Sequence, residues 1–181
     1  MIIINIFNEL TKISREPEIK ITELRDILKK YAKTVSVFDE MNATCIIRED
    51  CKYMQKNIQK EYLEVYIKYF FKRIKEILND NVNYKGNIDI VKFQNSLNLL
   101  KNQFIQYKDS SNNSKYSLIL TLISFYATFI KNEPIHPVGT PFPGNLKLEK
   151  KDGEYYCPVK DKQSKNPNAI CNLCISKQKE I

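Results

Sequence analysis

A chain of 181 residues, 43% of them hydrophobic, is near the size at which one compact domain buries a core of its own, so no disulfide scaffold is required. Five cysteines is an odd number, and Met1-Ile2-Ile3-Ile4 carries neither a basic n-region nor a small-residue cleavage site, so the expectation is a cytoplasmic protein with reduced thiols. The net charge of +8 raises nucleic acid as a partner, but acids are interleaved with the lysines, as in Lys72-Arg73-Ile74-Lys75-Glu76, which is the pattern of solvated helix faces.

In chain order, Ile3, Ile6, Phe7, Leu10 and Ile13 recur at a 3-4 spacing and predict a helix over 1–14, ended by Arg15-Glu16-Pro17. A second helix is expected to start at Thr22 as its cap, with Glu23 and Asp26 in the first turn and Leu24, Ile27, Leu28 and Tyr31 inward, reaching Val37 or Phe38. Residues 39–50 read as a short helical or irregular piece in which Cys45, beside Ile46 and Ile47, is a core residue. The longest element is expected over 53–79. There Ile58, Tyr62, Val65 and Tyr69 form one face and Ile67, Phe71, Ile74 and Leu78 another, which makes this the candidate central helix.

Residues 81–87, with Gly86, form a turn, and Asp89 opens a helix through Phe93, Leu97, Leu100, Phe104 and Tyr107. A polar loop over 109–113 precedes an apolar run, 116–130. That run is shorter than the about 20 residues a membrane span needs and carries Ser117, Thr121, Ser124 and Thr128, so a buried core helix and no membrane association are predicted.

The rhythm then breaks. Residues 132–175 hold six of the seven prolines, three of the four glycines, three of the five cysteines and the only histidine. Alternation of apolar and polar residues around Asp152-Gly153 predicts a two-residue hairpin. Its register sets Leu148 opposite Cys157 and Leu146 opposite Val159, turning the Cys157 thiol toward the protein. Asn166 and Pro167 are suited to start a terminal helix carrying Cys171 and Cys174 one turn apart.

The expected fold is mainly α: five or six helices in an irregular bundle, residues 1–131, with a Cys/Pro-rich segment, 132–181, packed on it as part of one domain. Cys157, Cys171 and Cys174 have the spacing of a hairpin knuckle followed by a C-x-x-C helix, and thiolates so placed suit a tetrahedral ion. His136, held between Pro134 and Pro137, is the favoured fourth ligand and Cys51 the alternative. The first set calls for zinc; four thiolates would suit zinc or an iron-sulfur cluster. The bland alternative is that these are ordinary buried cysteines.

These residues also carry a resemblance. The run from His136-Pro137-Val138-Gly139-Thr140-Pro141-Phe142-Pro143-Gly144, through Tyr155-Tyr156-Cys157-Pro158-Val159-Lys160-Asp161-Lys162-Gln163, to Asn166-Pro167 and Cys171-Asn172-Leu173-Cys174 resembles the C-terminal signature of domain-of-unknown-function family 2115. That family is also called uncharacterised protein family 0305, from methanogenic archaea. The resemblance is close over the last quarter of the chain and extends to the helical remainder in length and pattern. It implies an archaeal cytosolic protein in anaerobic methanogen physiology and brings no catalytic residues with it.

Three functions follow as expectations: a metal-binding protein with a structural zinc and an accessory role, an iron-sulfur redox protein or enzyme, and a basic nucleic-acid-binding protein. No Ser-His-Asp order, H-E-x-x-H or paired-carboxylate motif marks a hydrolytic site.

Overall fold

The fold is known from a computed structural model, which describes residues 2–106 and 111–180. Helix α1, Ile2–Ile13, buries the five residues of its apolar stripe. It is followed by β1, Ile19–Lys20, and α2, Ile21–Ala32. The start of α2 lies just ahead of the expected Thr22 because Lys20, its N-cap, is held extended by the ladder that β1 forms with β2, Asn87–Ile88. Helix α2 also stops at Ala32, well short of Phe38. The Thr34 hydroxyl donates to the Tyr31 carbonyl at 2.7 Å, and Ser36 opens a new helix, α3, Val37–Asp50, through a capping box with Asp39. Local capping chemistry here overrides the continuing apolar pattern.

Helix α3 is a full helix, not an irregular piece, and it corrects the placement of Cys45. Ala43 and Ile47 face the core, and Cys45 lies two residues from each, on the opposite side of the helix, where it is exposed. Helix α4, Lys56–Asn79, is the longest element, with Ile58, Tyr66, Phe70, Arg73, Ile74 and Ile77 buried. Its inner face is therefore rotated from the expected pair of faces, and Arg73, expected among solvated charges, is 2% exposed.

Helix α5, Ile90–Gln106, starts after Asp89, whose carboxylate accepts from the Lys92 amide at 2.9 Å. Tyr107 and residues 109 and 110 of the expected loop lie outside the described residues, while Ser111 to Asn113 already belong to α6, Ser111–Phe125. Helix α6, the core helix expected over 116–130, packs against all five preceding helices, α4 among them. Leu118, Ile119, Leu122, Ile123 and Phe125 are buried along it. The Thr121 hydroxyl is satisfied by the Ser117 carbonyl at 2.7 Å. Among the described residues no helix is long and apolar enough to cross a membrane.

At Tyr126 the hydrogen bonding of this helix widens into a π turn, Tyr126–Lys131, closed by Asn132 in the left-handed conformation at φ 50°. Beyond it the chain forms short strands: β3, Pro141–Phe142, β4, Leu146–Lys147, β5, Glu149–Lys151, and β6, Glu154–Cys157. Strands β5 and β6 pair with Glu149 opposite Tyr156 and Lys151 opposite Glu154, the expected register around Asp152 and Gly153. Both turn residues have positive φ, 51° and 82°, as a type I′ turn demands. Phe142, Leu148 and Cys157 form a small core of their own under this hairpin.

The expected terminal helix is absent. After α7, Lys160–Ser164, Asn166 caps only a turn, its side chain accepting from the Asn168 amide at 3.0 Å. Ala169 is extended, and Cys171 lies in a single 3-10 turn, Ile170–Asn172, before β7, Lys177–Gln178, pairs parallel with β6. Lys160 accounts for the interruption: its ammonium donates to the carbonyls of both Cys171 and Cys174, the groups a continuing helix would use internally. Leu173 and Ile135 tie this segment into the main core.

Candidate functional site

The segment around His136 is fixed to α4 by a charged clamp. The buried Arg73 guanidinium donates to Glu76 Oε2 at 2.5 Å, to the Glu133 carboxylate and to the Tyr69 hydroxyl, and it lies over the Tyr69 ring at 4.5 Å. Tyr69 in turn donates to the Pro134 carbonyl at 3.2 Å. Pro134 and Pro137 restrict the backbone on either side of His136. Thr140 closes the turn, its hydroxyl donating to the Pro137 carbonyl at 2.7 Å.

This arrangement seats the His136 ring in an aromatic wall. Its Nε2 shares a 2.9 Å hydrogen bond with the Tyr62 hydroxyl, and the ring stacks on Tyr66 with centroids 4.9 Å apart. Phe142 meets it edge-on at 6.1 Å. Tyr62, Tyr66 and Phe70 are successive members of an i, i+4 ladder on α4, with centroid separations of 5.4 Å and 5.9 Å. Burial pushes the His136 pKa down to about 4, so the imidazole is neutral at physiological pH. Burial likewise raises the Tyr62 and Tyr66 hydroxyls.

The wall borders a cavity of about 490 Å³ between α3, α4 and α6. Leu100, Phe104, Leu120 and Ile170 supply apolar surface. Ser117 and Thr121 add hydroxyls, and Glu49, Asp50 and Cys51 stand at the end of α3. Burial raises the Asp50 carboxyl, with Glu49 adding to it, and burial raises the Cys51 thiol, with Asp50 adding to that. The cavity thus combines a hydrophobic body with a neutral imidazole-phenol pair and a carboxylate end, which is the make-up of a small-molecule site.

The expected metal ligands do not gather in this way. His136 faces Tyr62 and Tyr66, and Cys51 lines the cavity. Cys157 is buried in the small hairpin core, whereas Cys174 packs against the main core and its thiol donates to the Ser176 hydroxyl at 3.5 Å. Cys171 feels both other thiols: burial first, then Cys174 and Cys157, push it up to about 11. The donor types suit zinc. Cys157 belongs to the hairpin core and Cys174 packs on the main core, while the thiols act on one another electrostatically. Among the described residues, no three His, Cys, Asp or Glu side chains are grouped so as to hold one ion.

Sequence reasoning named His136 and Cys51 but for a different chemistry, and it missed Tyr66, Tyr116 and Asp50. The signal for Tyr66 was the Tyr62-Tyr66-Phe70 spacing itself. For Tyr116 and Asp50 the sequence offered none, since what distinguishes them is where α3 and α6 meet.

Residues 20–179 match the profile of a family described as an uncharacterized protein conserved in archaea, DUF2115. A UPF0305 protein of Methanothermobacter thermautotrophicus is 38% identical over 156 residues, 86% of this chain and 94% of that protein. UPF0305 proteins of Methanocaldococcus jannaschii and Methanococcus maripaludis are 32% and 34% identical, covering 87% and 83% of this chain and 96% and 91% of their own lengths. No solved structure matches the chain.

Proposed function

The chain belongs to the uncharacterised archaeal family DUF2115, and we propose that it is a small-molecule-binding protein whose site is the cavity walled by His136, Tyr62 and Tyr66. The observation that carries this reading is a mostly apolar space of about 490 Å³ ending on a half-buried, neutral imidazole whose orientation is fixed from α4. Pockets of this size and composition accommodate an organic molecule with a hydrophobic body and few polar groups. The rigid clamp through Arg73 and Glu133 supports it, because a site held in advance loses less entropy on binding. A thermal-shift screen of aromatic and alicyclic fragments tests the reading. Compounds should raise the melting temperature of the natural protein and fail to do so for a variant at Ile46, which also lines the cavity: in Ile46→Trp the indole fills it. A screen in which no compound separates the two proteins rejects the reading.

A structural zinc at Cys157, Cys171 and Cys174 is the second reading. What favours it is the mutual influence of the three thiols, with Lys160 beside them. Elemental analysis of anaerobically purified protein tests it, since about one zinc per chain is required, and visible absorbance would instead mark an iron-sulfur cluster.

A further inference from the structure

The charges around the cavity are sorted against the rest of the molecule. The chain carries 29 lysines and arginines against 21 acids. Among the described residues no lysine or arginine lines the cavity, and the charged side chains that do are Glu49 and Asp50. Glu49 already has a cation, the Lys52 ammonium, which is bound on the exposed surface. Asp50 has none among the described residues: the one charged group that acts on it is Glu49, of the same sign. The rest of the polar wall includes the rings of Tyr62, Tyr66, Tyr116 and His136, the Gln103 amide, the Cys51 thiol and the hydroxyls of Ser117 and Thr121.

Asp50 is solvent-exposed, at the mouth of the cavity, and a carboxylate lacking a counter-ion there is complementary to positive charge. The carboxylate attracts a cation directly, and the ring quadrupoles of the tyrosines attract it through their faces. An anion would meet the opposite: two carboxylates and, among the described residues, no basic group to bind it. We infer that the occupant of this cavity is an organic cation, an amine or quaternary ammonium carried on an aromatic or alicyclic body, with the charged nitrogen at Asp50 and the body against Leu120, Phe104 and Tyr66. This rests on the small-molecule reading above and adds the sign of the ligand's charge. The overall charge of +8 works against nonspecific attraction of cations, so any preference for them must originate locally.

Three probes of one shape separate the possibilities: 2-(1-naphthyl)ethylamine, 2-(1-naphthyl)ethanol and 3-(1-naphthyl)propionate, titrated calorimetrically into the full chain at pH 7. The amine should bind about ten-fold or more tighter than the alcohol, and the propionate should bind weakest. Asp50→Asn should bring the ratio of amine to alcohol affinity down to about one. Alcohol or propionate affinity equal to or above that of the amine overturns the cation assignment and leaves the cavity reading standing. An amine preference that survives Asp50→Asn overturns the role given to Asp50. Failure of all three probes to bind overturns the cation assignment together with the small-molecule reading beneath it.

Discussion

Arg73 and Glu133 form an ion pair across 60 residues of chain, with Arg73 buried and the Glu133 carboxylate only partly accessible to solvent. The pair joins the middle of α4 to the residue that leaves the π turn, three positions before His136. Removing the guanidinium strands Glu76 and Glu133 beside an apolar interior, and breaking such a buried network costs about 3 kcal/mol. Arg73→Ala should therefore lower the urea midpoint substantially. Glu133→Gln, at the more exposed end, should cost about 1 kcal/mol. Equal and small effects at both positions would show that the clamp contributes little to the fold.

The stability of the protein should fall on mild acidification. His136 is the only histidine, and burial lowers its folded pKa to about 4, whereas an unfolded histidine titrates near about 6.5. Between those values the unfolded chain binds a proton that the folded chain refuses, so stability is complete above about pH 6.5 and declines as the pH falls toward 4, by up to about 3 kcal/mol. The titratable groups in contact with the ring, Tyr62 and Tyr66, and the Cys51 thiol in the same cavity have raised pKa values and stay neutral throughout this window. The hydrogen-bonded carboxyls of Glu9, Asp39 and Asp80 are lowered, so their contribution is lost only at lower pH. Denaturant melts at pH 7 and pH 5 should differ for the natural protein and converge for His136→Leu.

Thiol reactivity should distinguish the five cysteines. Cys45 is exposed, Cys51 and Cys157 are buried, and Cys171 is pushed up to about 11, which leaves it almost entirely as the unreactive thiol near pH 8. A disulfide reagent added to native protein should modify Cys45 first, and Cys45→Ser should remove that fast phase. Chelation that exposes further fast thiols would support the zinc reading; an unchanged profile would count against it.

The hairpin turn should tolerate little change. Gly153 has φ 82°, where a Cβ is unfavourable, so Gly153→Ala should cost about 1 kcal/mol. The loss should appear first as faster amide exchange in β5 and β6, with the exchange of α6 unaffected. Exchange accelerating equally in α6 would mean that hairpin and bundle open as one unit.

The outcome separates what local pattern encodes from what assembly decides. The stripe of α1 and the register of the hairpin around Asp152 and Gly153 were legible because both follow from a fixed period and a turn with unambiguous backbone demands. Beyond Glu149, however, the strand turns to other partners, Leu148 bonding to Thr140 and Leu146 pairing with Phe142 instead of standing opposite Val159. The end of α2 was misjudged because Thr34 and Ser36 compete locally with a continuing apolar pattern. The terminal helix was misjudged because Lys160, eleven residues upstream, takes the Cys171 carbonyl. Cysteine spacing groups three thiols that do act on one another, but it does not say that Cys157 is buried under the hairpin while Cys174 packs on the main core. The cavity was illegible for the same reason. Its wall joins residues from α3, α4, α6 and the segment after the π turn, and only packing brings them face to face.

The π turn at Tyr126–Lys131 acts as the phase setting between the bundle and everything that follows it. A π turn amounts to an α-helix holding one extra residue. Deleting a single residue there would restore ordinary helical winding while turning the outgoing chain by about 100° and shifting it by about 1.5 Å. Glu133 would then leave the bearing of Arg73, and His136 that of Tyr62. The orientation of the imidazole toward the cavity thus depends on a count of residues in the helix that precedes it.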